Sequence, residues 1–185
     1  MIEEACHMDF IAIDVETANQ NPSSMCQIGI ASFRVGRLES VWESLVNPED
    51  EFRSFNIQLH GISPERVRHS PCWRDLQPSV RHLLDGKLVA SHSSFDRRAI
   101  EGASRRYKCL SIQPSCWIDT CSIARTVWPH FNSHRLTSLA RQLRIEYRAH
   151  DAAEDARCAG KYCFELQTSV VTNYGRFCNR ILHTL

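Results

Sequence analysis

The chain has 185 residues, 43% of them hydrophobic and 23% charged, and a formal net charge of +1 at pH 7. That length suits one domain with its own core, and the near-neutral balance argues against a protein that coats nucleic acid by bulk charge. No stretch approaches the roughly 20 apolar residues of a membrane span, and the acidic start MIEEACHMDF does not read as an export signal, so a soluble, cytoplasmic protein is expected.

The first predicted strand covers residues 10–15, a short apolar run leading into Asp14, Val15 and Glu16. Residues two apart on a strand share a face, so Asp14 and Glu16 project together while Val15 points away. Two adjacent carboxylates repel unless a proton or cation sits between them, and hard oxygen ligands favour Mg²⁺ or Mn²⁺ over zinc. Taken alone, the tripeptide is explained as well or better by two solvated acids at a strand end. Strands over 27–35 and 38–46 follow, joined by a tight VGRL turn that makes them antiparallel. Gln27 either approaches the acidic end of the first strand or occupies an ordinary strand position. A loop-rich stretch then carries NPEDEF and HGISPE.

A helix over 73–84 and a strand over 87–90 lead through a Ser/His turn into a helix over 95–107. Asp96 opens that helix, where an acid also complements the helix dipole. A short strand at 117–118 and helices over 120–127 and 136–143 precede the final helix, which runs to about residue 166. Asp119 most simply caps the helix that follows it. Phe95, Trp73, Trp117 and Trp128 are read as core residues. Arg97, Arg98, Arg105, Arg106 and Lys108, and then Arg141, Arg144 and Arg148, read mostly as solvated helix faces. Nine cysteines without Cys-x-x-Cys spacing suggest reduced, buried thiols and no structural zinc.

The segment Asp151-Ala152-Ala153-Glu154 has the shape of a capping box, with Asp in place of Ser or Thr. It would open the helix carrying Asp155 and leave His150 just before it. Were both helical, His150 and Asp155 would stand about 140° apart at about 100° per residue; outside the helix, His150 can swing toward the cleft that Asp155 enters. Three strands followed by alternation give an α/β domain with a mixed five-stranded sheet flanked by helices. No repeat or linker marks a second domain, so residues 1–185 are read as one unit.

In combination, IDVETAN, VASHSSFD and HDAAEDA resemble, in order and context, the three motifs of the DEDDh 3′–5′ exonucleases, with HGIS and the DTCSIAR and HRLTSLARQLRI stretches between them. The family includes the proofreading epsilon subunit of bacterial DNA polymerase III, RNase T and oligoribonuclease, and the resemblance covers residues 9–167. It implies a ribonuclease H-like fold and two Mg²⁺ or Mn²⁺ ions held by Asp14, Glu16, Asp96 and Asp155, with His150 as the general base. It further implies a single-stranded DNA or RNA 3′ end as substrate and nucleoside 5′-monophosphates as products. The backbone around Glu16, Thr17 and Ala18 would receive the terminal nucleotide, and His60 and Ile62 would touch its base or sugar. His92 stands where many relatives carry Asn, and Ser91 where they carry His, which puts the substrate contacts of that turn, His92 among them, in doubt.

Three readings stay open. The chain is a free exonuclease; or a proofreading or processing subunit inside a polymerase or repair complex, with VTNYGRFCNRILHTL as a candidate docking tail; or a nucleic-acid-binding module without catalysis. The intact set of five ionisable residues argues against the last. A homodimer is compatible with the first two.

Overall fold

The computed structural model describes residues 9–174; the acidic start read above and the docking tail from residue 175 onward lie outside them. Five strands form one sheet in the order β3-β2-β1-β4-β5. They are β1 (Phe10–Thr17), β2 (Met25–Arg34), β3 (Arg37–Leu45), β4 (Leu88–Ser91) and β5 (Cys116–Asp119). The first three pair antiparallel, whereas β4 joins β1, and β5 joins β4, in parallel. The mixed sheet expected from the alternation is therefore present. Val35 and Gly36 close the β2–β3 hairpin with φ of 49° and 72°, two left-handed residues in a row, as a two-residue hairpin turn of matching twist demands.

β1 is the central strand, and its alternation divides the core. Phe10 and Ala12 face a cluster with Phe33, Ile123, Leu139 and Tyr162. Ile11, Ile13 and Val15 face the other side, a cluster with Trp73, Val80, Leu84, Ala99 and Ile100. The helices α3 (Trp73–Leu84) and α4 (Ser94–Arg106) cover that second side. The first is covered by α5 (Thr120–Val127), α6 (Leu136–Gln142) and the long α7 (Ala152–Tyr174). Trp73 and Trp128 are buried, and Trp117 packs against the second cluster, as expected for core tryptophans.

The stretch read as loop-rich contains two short helices, α1 (Ser54–His60) and α2 (Pro64–Val67). Helix α1 leaves little trace in the local pattern because no residue in it is buried and its N-terminus has no side-chain cap, so it carries no apolar stripe. Tertiary contacts hold it instead: the Asn56 amide donates to the Thr17 carbonyl at 2.8 Å, and the His60 ring lies 3.2 Å from the same oxygen. Gly61, at φ 73°, ends the helix in the left-handed conformation.

Helix α7 reaches the sheet through glycine. A Cβ at Gly29 of β2 would lie 2.2 Å from the backbone carbonyl of Ala152, so helix and strand touch main chain to main chain. Gly29→Ala is expected to destabilise the fold by about 3 kcal/mol or more in urea denaturation, because overpacking against rigid backbone has no flexible neighbour to displace. Gly102→Ala in α4, whose nearest neighbour would be 3.4 Å away, is expected to gain about 0.5–1 kcal/mol from helix propensity. Equal effects at the two glycines would contradict this account of the α7–β2 contact.

Candidate active site

The even-numbered face of β1 is apolar at Phe10 and Ala12 and then turns acidic at Asp14 and Glu16, where the sheet face ends. A bulge between Glu16 and Thr17 shifts the register against β2 at that point. Parallel pairing with β4 stops at Ala12, opposite Ala90, so the β4 side of β1 lies open beyond it. There Asp96, in the first turn of α4, accepts a hydrogen bond from the Val15 N–H at 3.1 Å. The serine turn sets this up: Ser93 caps α4 by accepting from the Phe95 N–H.

Asp155 enters from the first turn of α7. The N-terminus of that helix is held by Gln27 of β2, whose side-chain oxygen accepts from the Ala152 N–H at 3.2 Å. Gln27 therefore serves the helix rather than the cleft. The capping box is half formed. Asp151 accepts from the Glu154 N–H, but the Glu154 carboxylate turns to Arg157, 2.5 Å away, instead of reaching back. His150 precedes the helix, as expected, and sits in the left-handed region at φ 63°, strained for a residue with a Cβ. Its backbone N–H donates to Asp155 Oδ2 at 2.7 Å, which ties the histidine to the carboxylate.

Asp14, Glu16, Asp96, His150 and Asp155 thus line one cleft of about 330 Å³. Glu16, His150 and Asp155 each offer a ligand atom, all within 4.8 Å of one another. Burial raises all four acids. Asp14 is pushed well above the usual carboxylate range by burial and then by the charges of Asp96, Asp155 and Glu16. Glu16 rises to about 8 for the same two reasons, with Asp155 its foremost neighbour. Asp96 rises to about 7 and Asp155 to about 6, burial being partly offset by the N–H groups of Val15 and His150 respectively. Four acids raised by burial, three of them also by the charges of the others, with oxygen atoms and one imidazole converging, fit a site for hard divalent cations.

The other candidate residues fall differently. His92 lines the cleft, but both its ring nitrogens have partners, Nε2 on the His134 carbonyl at 2.8 Å and Nδ1 on the Thr120 hydroxyl at 3.2 Å. Burial lowers its pKa, and the His134 carbonyl requires a proton on Nε2; the Thr120 hydroxyl beside Nδ1 donates to the Ser91 carbonyl. It latches the end of β4 to the segment before α6. Ile62 does not reach the cleft: it is 1% exposed, packed with Ala18, Cys26 and Val67, because the left-handed Gly61 turns the chain inward. Thr17 and Ala18 are also buried, and their carbonyls are engaged by α1 and Arg53. His60 is partly buried, between Thr17 and Cys26. Phe95 lines the cleft and packs against the core at once. Asp119 caps α5 by accepting from the Ser122 N–H at 3.0 Å. The seven described cysteines are free thiols.

Arg135, Thr137 and Tyr147 complete the wall and were not singled out in the sequence. Tyr147 is three residues before His150, the one signal that could have marked it. Burial first, then the charge of Asp155, pushes its phenol above the usual value.

The RNase_T exonuclease family model matches residues 11–162. The 3′-5′ exonuclease DinG of Bacillus subtilis (strain 168) is 28% identical over 163 residues, 85% of this chain and 17% of that protein. The PolC-type DNA polymerase III of Latilactobacillus sakei subsp. sakei (strain 23K) is 23% identical over 170 residues, 90% of this chain and 12% of that protein. The chain therefore spans less than a fifth of the length of these relatives. Exonuclease X in complex with 5′ overhanging duplex DNA superimposes with a TM-score of 0.74 at 20% identity, covering 94% of this chain and 98% of the other. The nuclease domain of 3′hExo, a DEDDh family member bound to rAMP, gives 0.70 at 15% identity, covering 86% and 90%. Both share the ribonuclease H-like fold seen here.

The raised acids set the pH response. Each folded pKa exceeds the unfolded value near 4, so its contribution to stability is complete at acid pH and is lost as pH rises through about 6, 7 and 8 for Asp155, Asp96 and Glu16. The thermal midpoint of the metal-free protein is expected to fall between about pH 5 and 8, and excess Mn²⁺ to raise it most at the alkaline end. A midpoint that holds or climbs over this range without metal would contradict the electrostatic account.

Proposed function

The chain belongs to the RNase_T exonuclease family, and on that premise we propose that it is a 3′–5′ exonuclease acting on single-stranded DNA or RNA ends. The observation that carries this reading is the meeting of Asp14, Glu16, Asp96, Asp155 and His150 in one cleft from three distant segments. Asp14, Glu16, Asp96 and Asp155 would hold two Mg²⁺ or Mn²⁺ ions. Such a pair, when bound, stabilises the attacking and leaving oxygens of an in-line displacement.

The protein's own groups do the rest. The His150 ring stands at the exposed mouth of the cleft, with its backbone fixed on Asp155, and takes a proton from the attacking water. The water oxygen bonds to phosphorus while the bond to the 3′ oxygen of the preceding nucleotide breaks, releasing a nucleoside 5′-monophosphate. The half-buried carboxylate of Glu16 stands at the bulged end of β1, beside the place where the terminal nucleotide would sit.

The match to PolC-type polymerases supports a second reading, in which the same site works within a polymerase or repair complex. Poor activity of the isolated chain, restored by a polymerase partner, would favour it.

The test is digestion of 5′-labelled single-stranded DNA and RNA with Mg²⁺, Mn²⁺ or EDTA. A metal-dependent ladder shortening from the 3′ end is expected, and its preferred sugar identifies the substrate. Asp14→Ala, Asp155→Ala and Asp96→Asn, the last keeping an acceptor for Val15 N–H, should abolish the ladder in folded protein. Wild-type-like cleavage by any of them removes that residue from the ligand set. His150→Ala should slow cleavage by about 10²–10⁴-fold with Mn²⁺ affinity retained. Lost affinity would instead make His150 a ligand, a role its place beside Glu16 and Asp155 permits.

A further inference from the structure

Tyr147 carries the one buried side-chain polar atom among the described residues that has no hydrogen-bond partner, and it does so in the wall of the acidic cleft. An unmet buried hydroxyl costs about 1–3 kcal/mol, so its placement calls for a reason. The residue lies in the loop between α6 and α7, bounded by two left-handed residues, Arg144 at φ 56° and His150 at φ 63°. The residue also lines a second cavity, with Phe33, Leu143, Ile145 and Arg157. Its oxygen is shut off from solvent, so a substrate phosphate arriving through the open cleft has no path to it. Asp155 is the charged group that acts most strongly on it and its nearest candidate acceptor, although no hydrogen bond of good geometry joins the two. A phenol held above its ordinary pKa near 10 is a donor at neutral pH, and a carboxylate is its natural acceptor.

We propose that Tyr147 is a positioning residue for Asp155: its hydroxyl turns to donate to the Asp155 carboxylate as that carboxylate takes up a divalent cation, and with the His150 N–H it fixes the orientation in which Asp155 meets the ion. The His150 N–H occupies Oδ2 from one side. A second donor from the Tyr147 loop holds the carboxylate from the other, in the way that outer hydrogen bonds orient a ligand to a metal. The loop between two strained residues thereby delivers two groups to one acid, the backbone of His150 and the phenol of Tyr147. The inference rests on the reading of Asp155 as a metal ligand.

The experiment is Tyr147→Phe in the full chain, with Mn²⁺ binding followed by the paramagnetic resonance of the free ion in the absence of nucleic acid, and with thermal midpoints taken with and without Mn²⁺. Mn²⁺ affinity should fall by about 10–100-fold. The metal-free midpoint should hold or rise, because the variant removes an unmet buried hydroxyl. That combination separates positioning from a structural role, in which both quantities would drop together. Wild-type Mn²⁺ affinity in the variant, or weakened affinity together with a lowered metal-free midpoint, would overturn the proposal. Mn²⁺ binding by the wild type that survives Asp155→Ala unchanged would overturn the metal-site reading itself, a result distinguishable from failure of the Tyr147 role alone.

Discussion

The contact on which the site depends is the one between the first turn of α7 and β2. Asp155 and His150 stand on or beside that turn, and Asp14 and Glu16 stand on β1, the neighbouring strand. The two sets converge because the helix backbone rests directly on Gly29, where any side chain would collide with Ala152, and because Gln27 caps the helix from the same strand. A side chain at position 29 would lift the helix and carry Asp155 away from Glu16. Phe33 and Gly160 repeat the arrangement further along, where a Cβ on the helix glycine would lie 2.0 Å from the phenylalanine ring. Close packing of small residues here decides electrostatics: it brings acids nearer than their charges would allow in isolation.

That enforced proximity stores energy in the cleft. All four acids are raised, and burial is the foremost cause for each. The backbone N–H groups of Val15 and His150 relieve part of the load on Asp96 and Asp155, and both donors come from outside regular hydrogen-bonding ladders. One is freed because β4 is short, the other because His150 stands in a left-handed conformation before the helix. A divalent cation would relieve the remainder, since it favours the ionised form of every acid at once. Stability, pH response and metal affinity are then three readings of one charge cluster.

Much of this was legible in the residues. The alternation of β1 announced that Asp14 and Glu16 share a face, and the Asp151 signal placed His150 outside the helix and Asp155 in its first turn. The hairpin followed from turn chemistry and the mixed sheet from the alternation of elements, whereas the order of its strands did not. Helix α1 was not legible, because it buries nothing and is held by Thr17, a residue nearly forty positions away. His92 and Ile62 read as substrate contacts, yet one spends both ring nitrogens on Thr120 and His134 and the other fills a small apolar cluster. Those outcomes turn on partners that no local pattern announces.

The sequence by itself determined the chemistry available: which acids exist, which face of a strand or end of a helix each occupies, and the family to which their order belongs. Local periodicity and capping are properties of a few consecutive residues, so they can be read without the fold. Only the tertiary structure decided which groups share a cleft, how far burial shifts their protons, that Gln27 serves a helix end rather than a substrate, and that Tyr147 presents an unmet hydroxyl beside Asp155. Burial and long-range hydrogen bonds depend on what the rest of the chain places nearby, and that is settled only when helix and sheet close on each other.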